Sequence, residues 1–125
     1  CQLKLFKRKL QMINEHDTAD LTPPGGLKYD GEKPPMALLD SNYLEGVASV
    51  LGFGAKKYAA HNWRKGIHVS RLISSLYRHL GAINKGENID PESGLPHVYH
   101  LGCNTMFLAT MLQQHPELDD RYKHE

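Results

Sequence analysis

Proline placement divides this chain before any other feature does. Pro23-Pro24-Gly25-Gly26 and Pro34-Pro35 forbid a continuous helix early on, because proline lacks a backbone donor and restricts the residue before it. No proline then occurs until Pro91. In that free stretch Leu44, Val47, Val50, Leu51 and Tyr58 recur at the three-to-four spacing of an amphipathic helix, with Asn42 as a cap and Glu45 in capping-box position. Ser70 reads as the cap of a second helix with the stripe Leu72, Ile73, Leu76, Leu80 and Ile83. Gly86, Asp90-Pro91 and Gly94 break it. Pro96 suits the first turn of a third helix, carrying Val98, Leu101, Met106, Leu108, Met111 and Leu112, and Pro116 stops that helix. The fold class is all-α, a helical bundle with helices near 42–58, 70–85 and 96–114, and no stretch alternates with a strand's period.

The remaining segments follow by subtraction. Residues 1–40 read as an N-terminal arm, basic at its start, running into an extended loop over 14–40; residues 41–115 form the helical domain, and 116–125 a charged tail. A chain of 125 residues holds about one domain and needs no disulfide or structural metal to stay folded. Lys and Arg total 15 against 14 Asp and Glu, which argues against a nucleic-acid partner and against a membrane surface. No apolar run approaches a membrane span. Cys1 and Cys103 suggest no disulfide framework, so a reducing, cytoplasmic compartment is expected. The unusual number is histidine, eight in all.

Chemistry concentrates in two places. Residues 87–100 bring Asp90, Glu92, His97 and His100 together, with the histidines on neighbouring positions of one helical face. Carboxylates favour hard cations, whereas imidazole favours softer ones or acts as a base. The same residues also describe a capped helix start with acids facing its dipole. Glu45 is the single acid of the first helix, either a capping partner or a metal ligand. Beyond it Lys56, Lys57, Asn62, Trp63 and Arg64 form a basic-aromatic cluster, in which the tryptophan either stacks on a base or anchors a loop. His79 follows near the end of the second helix.

Five motifs in this order carry a resemblance: Gly-Leu-Lys-Tyr-Asp-Gly-Glu-Lys-Pro (26–34), Phe-Gly-Ala-Lys-Lys-Tyr (53–58), Asn-Trp-Arg-Lys-Gly (62–66), Arg-His-Leu (78–80) and Asp-Pro-Glu-Ser-Gly-Leu-Pro-His (90–97). The series resembles the phage dATP/dGTP diphosphohydrolase family, including its MazZ type, which is similar to the all-α MazG-like nucleoside triphosphate pyrophosphohydrolases. The resemblance implies metal-dependent hydrolysis of dGTP or dATP to the monophosphate and pyrophosphate. It also implies a supply of dGMP for 2-aminoadenine nucleotides in a phage-infected host cytoplasm. Magnesium or manganese is implied, with two or more ions per site. The expected metal ligands are Glu45, Asp90, Glu92, His79 and His97, with Glu45, His79 and His97 also as catalytic residues. Lys28, Asp30, Lys33, Lys56, Lys57, Asn62, Trp63 and Arg64 are expected to bind the purine deoxynucleoside triphosphate. One departure stands out: MazG-like enzymes carry a Glu-x-x-Glu, whereas Glu45 is followed three residues on by Ala48. A His-Asp pair of the kind used by another all-α phosphohydrolase class occurs only at His16-Asp17, in the loop-like segment. The competing class is a non-catalytic helical module that binds a host protein through apolar faces. Leu38, Leu39, Leu51, Phe53, Phe107, Leu108, Met111 and Leu112 spread over more than one face, so a homodimer or homotetramer is expected, with segment 22–35 lying over a nucleotide site.

Overall fold

The computed structural model describes residues 25–123, and the chain divides into two compact units between Asp40 and Ser41. The basic N-terminal run, His16-Asp17 and the first part of the 14–40 loop lie outside the described residues. Within the first unit, Lys33 N–H donates to the Asp30 carbonyl at 2.9 Å and closes a turn over Gly31 and Glu32. The proline pair then leads into a short 3-10 turn, Met36–Leu38. Leu38 and Leu39 are both exposed.

The second unit is built on three α-helices, α1 (Ser41–Lys57), α2 (Val69–Asn84) and α3 (His97–Gln114), each within one residue of its expected bounds. The described residues contain no strand; Ile89 and Pro96 form an isolated antiparallel bridge. Helix α3 is central, and both α1 and α2 pack on it. It runs antiparallel to α2. Met111 near its end joins Val69 and Leu72 at the start of α2, all three essentially dry. Trp63, Ile67, Ile73, Phe107, Leu108 and Leu118 close around that cluster. The apolar stripes are only partly used, since Leu44, Tyr58, Leu80, Val98 and Leu112 remain exposed while Met111 is fully buried.

The start of α2 differs from its sequence reading. The helix begins at Val69, and His68 before it makes no side-chain cap bond. Ser70 is therefore inside the first turn, and the acceptor comes from far along the chain. Asp120 accepts the Ser70 N–H at 2.8 Å and the Ser70 hydroxyl at 2.6 Å. A carboxylate suits this position because the first turn of a helix presents unpaired N–H groups. The stretch beyond Pro116 thus returns to the helices, with a 3-10 turn at Pro116–Leu118 and Leu118 against the core.

Helix α1 reaches α3 through glycine. A Cβ at Gly46 would stand 2.5 Å from ring carbons of Tyr99, and one at Gly102 would meet the Tyr43 hydroxyl and Val47. The two tyrosines meet edge to face with centroids 5.9 Å apart, a favourable arrangement for aromatic pairs. Alanine ordinarily favours a helix over glycine by about 1 kcal/mol. Here the overpacking cost of about 1–3 kcal/mol outweighs that gain. Gly46→Ala should therefore lower the denaturation midpoint, and an unchanged or raised midpoint in chemical denaturation would show that the crossing has room.

Candidate functional site

The end of α2 and the start of α3 are joined by a loop whose backbone bonds leave little freedom. Helix α2 ends in a Schellman turn: Gly86, at φ +96°, donates to the Ile83 carbonyl, and Glu87 N–H donates to the Ala82 carbonyl, both at 2.9 Å. Glycine is needed there because the left-handed region is strained for other residues. The chain then closes on itself. His97 N–H donates to the Asn88 carbonyl and Asp90 N–H to the Leu95 carbonyl, each at 2.9 Å. Asp90 also accepts the Glu92 N–H at 2.9 Å through one carboxylate oxygen. Its other oxygen lies 3.4 Å from His100 Nε2. Ser93 Oγ sits 2.7 Å from the same nitrogen and accepts the Leu95 N–H at 3.1 Å. Asp90 is thereby fixed between its own loop and α3.

Three imidazoles gather beside it. His79 from α2 stacks on His100 from α3, with centroids 4.6 Å apart and planes 9° from parallel. His79 Nδ1 lies 2.8 Å from His97 Nδ1, and His97 Nε2 lies 2.8 Å from Glu87 Oε1. His97 and His100 are 4% and 8% exposed, unusually deep for histidine. Burial is the first cause pushing the His79 pKa down, with the neighbouring His100 and His97 adding to it. Burial likewise lowers that of His100. One donor atom each from His79, Asp90 and His100 lies within 4.8 Å of the others.

These residues line one part of a cavity of about 890 Å³, whose walls also include Lys57, His61, Asn62, Trp63, Arg64, Arg78 and Asn104. The volume falls within the ordinary range of roughly 300–1,000 Å³ for ligand pockets. Arg64 is held in place on two sides: its guanidinium lies 4.5 Å from the Trp63 ring centre, and its Nε donates to His61 Nδ1 at 2.9 Å. Trp63 in turn stacks on Phe107 at 4.6 Å. Its ring is thus already engaged. Asn104 donates to Ser75 Oγ at 3.2 Å and to the His100 carbonyl at 3.0 Å. Cys103 also lines the cavity, but burial pushes its thiol up to about 11, which leaves it protonated at neutral pH and a poor ligand.

The sequence candidates therefore separate. His79 and Asp90 come together with His100, whose place in the donor group was visible only as the second histidine of a His-x-x-His pair, while His97 stands against His79 and Glu87 outside that group. Glu92 lines the cavity but is paired with Lys57 at 2.8 Å, a bond that raises the lysine pKa. Glu45 is exposed on α1 and is not among the cavity residues. Lys56 is exposed and also absent from the lining. Asn62, Trp63 and Arg64 line the cavity, whereas Lys28, Asp30 and Lys33 belong to the other compact unit. Glu87 had no local signal at all: it lies ten residues before His97, a separation that no helical or strand spacing relates.

Comparison with known proteins bears on the same residues. The family model described as dATP/dGTP diphosphohydrolase, N-terminal, matches residues 23–121, taking in both the cavity and the donor group. A curated relative, the dATP/dGTP diphosphohydrolase of Salmonella phage PMBT28, is 38% identical over 96 residues, which covers 77% of this chain and 33% of that protein. The chain thus spans about a third of the length of the relative it matches. No solved structure matches it. Because the match extends over most of its length and over every residue of the donor group, the chain belongs to the dATP/dGTP diphosphohydrolase N-terminal family.

Proposed function

We propose that this chain hydrolyses a purine deoxynucleoside triphosphate, dGTP or dATP, to the monophosphate and pyrophosphate. The observation that carries the reading is the convergence of His79, Asp90 and His100 in a cavity that also holds Lys57, Arg64 and Arg78. The name of the phage relative, a dATP/dGTP diphosphohydrolase, supports the same substrate class. A non-catalytic interaction module has no use for such donors converging in a cavity, and that reading is set aside.

The donor set fits a divalent cation. Its two imidazoles are biased toward the neutral, ligating form by burial, and Asp90 adds a carboxylate. Two nitrogens and one oxygen suit manganese better than magnesium, which prefers oxygen ligands. When bound, such an ion supplies Lewis-acid polarisation of a phosphoryl oxygen. The chain's own residues do the rest. Arg64 offers its remaining guanidinium N–H groups to phosphate from a position fixed by Trp63 and His61. Lys57 can exchange its bond with Glu92 for a phosphate oxygen. Asn62, on the same cavity wall, hydrogen-bonds the base in this reading. Trp63 serves as the platform for Arg64, and it stacks on a base only if the arginine moves. We further read the exposed Leu44, Leu80, Val98 and Leu112 as surfaces where copies associate into a homodimer or homotetramer. Among the described residues no helix is long and apolar enough to cross a membrane.

With dGTP and manganese, chromatography should resolve dGMP and pyrophosphate; dGDP with orthophosphate would overturn the proposed cleavage position. His79→Ala and His100→Ala should each lower kcat by roughly 10²-fold or more, the scale of losing an electrostatic stabiliser of the transition state. Full activity in either variant would remove the donor group from the reaction. Light scattering on the purified chain should give a multiple of its 14.1 kDa mass, and a monomer would contradict the association.

A pH dependence of stability follows from the same burial. His79 and His100 have pKa values below the ordinary 6.5, so below that pH the unfolded chain takes up protons that the folded chain refuses. Their contribution is complete above about 6.5 and is lost as the pH falls toward the depressed folded values. In chelator, the melting temperature should fall between about pH 7.5 and about pH 5.5, and the fall should shrink in His79→Gln. A flat profile would show that protonation of the cluster is not coupled to folding.

A further inference from the structure

The direction of the hydrogen bonds among the clustered imidazoles is set by a carboxylate that touches only one of them. Glu87 Oε1 lies 2.8 Å from His97 Nε2. An ionised carboxylate can only accept, so the proton of that bond sits on His97 Nε2. In its neutral form His97 carries a single N–H, which leaves its Nδ1 as an acceptor. Its partner is His79 Nδ1 at 2.8 Å. Two bare nitrogens cannot face each other at that distance, so beside a neutral His97 it is His79 that donates, with its proton on Nδ1. His79 Nε2 is then left with an unshared lone pair.

We propose that Glu87 is a positioning residue that fixes the tautomer of His79 through His97, so that His79 Nε2 is a bare donor for a divalent cation held with Asp90 and His100. The backbone prepares this role. The Schellman turn at Gly86 places Glu87 directly after α2, and its N–H is tied to the Ala82 carbonyl at 2.9 Å. The His97 N–H is tied to the Asn88 carbonyl at 2.9 Å, so carboxylate and ring are anchored from both ends of one loop. His97 is 6% exposed in its side chain and Glu87 51%, so the relay carries an orientation from the surface to a buried ring. Carboxylate partners of metal-ligating histidines fix ring orientation and tautomer in this way. Here the carboxylate acts one imidazole further out. His97 thus has both ring nitrogens engaged, one by Glu87 and one by His79, and serves as the link in the relay.

The tautomer part stands without any metal; the last step rests on the metal-binding reading above. The experiment separates them. The full chain, labelled with 15N-histidine and freed of metal by chelator, is measured by two-bond proton–nitrogen correlation, which distinguishes the two neutral tautomers. The expected result is His79 protonated on Nδ1 and His97 on Nε2. His79 protonated on Nε2 would overturn the proposal. Glu87→Gln keeps the size of the side chain but can present an N–H to His97, so it should redistribute the His79 tautomers. It should also weaken manganese binding, read by calorimetry, by about 10–100-fold, while leaving the metal-free melting temperature unchanged. A merely structural Glu87 would instead leave the His79 tautomer and the manganese affinity of Glu87→Gln at wild-type values, which overturns the proposal. If the wild-type chain binds no manganese at all, the metal reading and the proposal's last step fail together, and the nitrogen spectrum still decides the relay.

Discussion

Imidazole is costly to bury unless its nitrogens find partners, and two histidines are among the few side chains buried between α2 and α3. That requirement organises this end of the second unit. His100 takes Ser93 and lies beside Asp90; His97 takes Glu87 and His79. Three of those partners come from the loop joining the two helices, so the loop must fold tightly. Its Schellman turn, its single bridge between Ile89 and Pro96, and the turn around Asp90 meet that demand. No buried side-chain polar atom among the described residues is left without a partner.

The opposite end of the α2–α3 pair is apolar. Val69, Leu72 and Met111 are shielded there by residues from beyond both helices, and Asp120 closes the first turn of α2. The division between a dry end and a polar end follows from the antiparallel arrangement. It places the start of α2 against the end of α3, and His79 near the end of α2 against His97 and His100 at the start of α3. The dry apolar cluster thus lies away from the cavity's donor group, where burial lowers the pKa values of His79 and His100. Helix α1 contributes differently: Gly46 and Gly102 allow its backbone close to α3, and the residues that follow it carry Trp63 and Arg64 to the cavity wall.

Much of this was legible in the chain itself. The three helices follow from apolar spacing and from proline and glycine breakers, because these signals act within one element and need no knowledge of its neighbours. The pair His97 and His100 was legible as two positions on one helical face, and Asp90 as an acid just before that face. The order of the five motifs carried the family. Asp120, Glu87 and the Lys57–Glu92 pair were not legible. Each joins residues whose separation has no helical or strand period, so only the packed fold relates them.

The exposed Glu45 makes the same point from the other side. Its position three residues after Asn42 suited a capping partner and its standing as the single acid of α1 a metal ligand, yet the rotation of α1 on α3 leaves it away from the cavity lining. Trp63 is similar: an aromatic beside asparagine and arginine suits a base, but Phe107 and Arg64 already occupy its ring. The sequence by itself determined which segments are helical, where they stop and which residue types were available for chemistry. Only the tertiary structure decided which of those residues meet, because the register and rotation of one helix on another depend on contacts between elements and are written in no single element's periodicity.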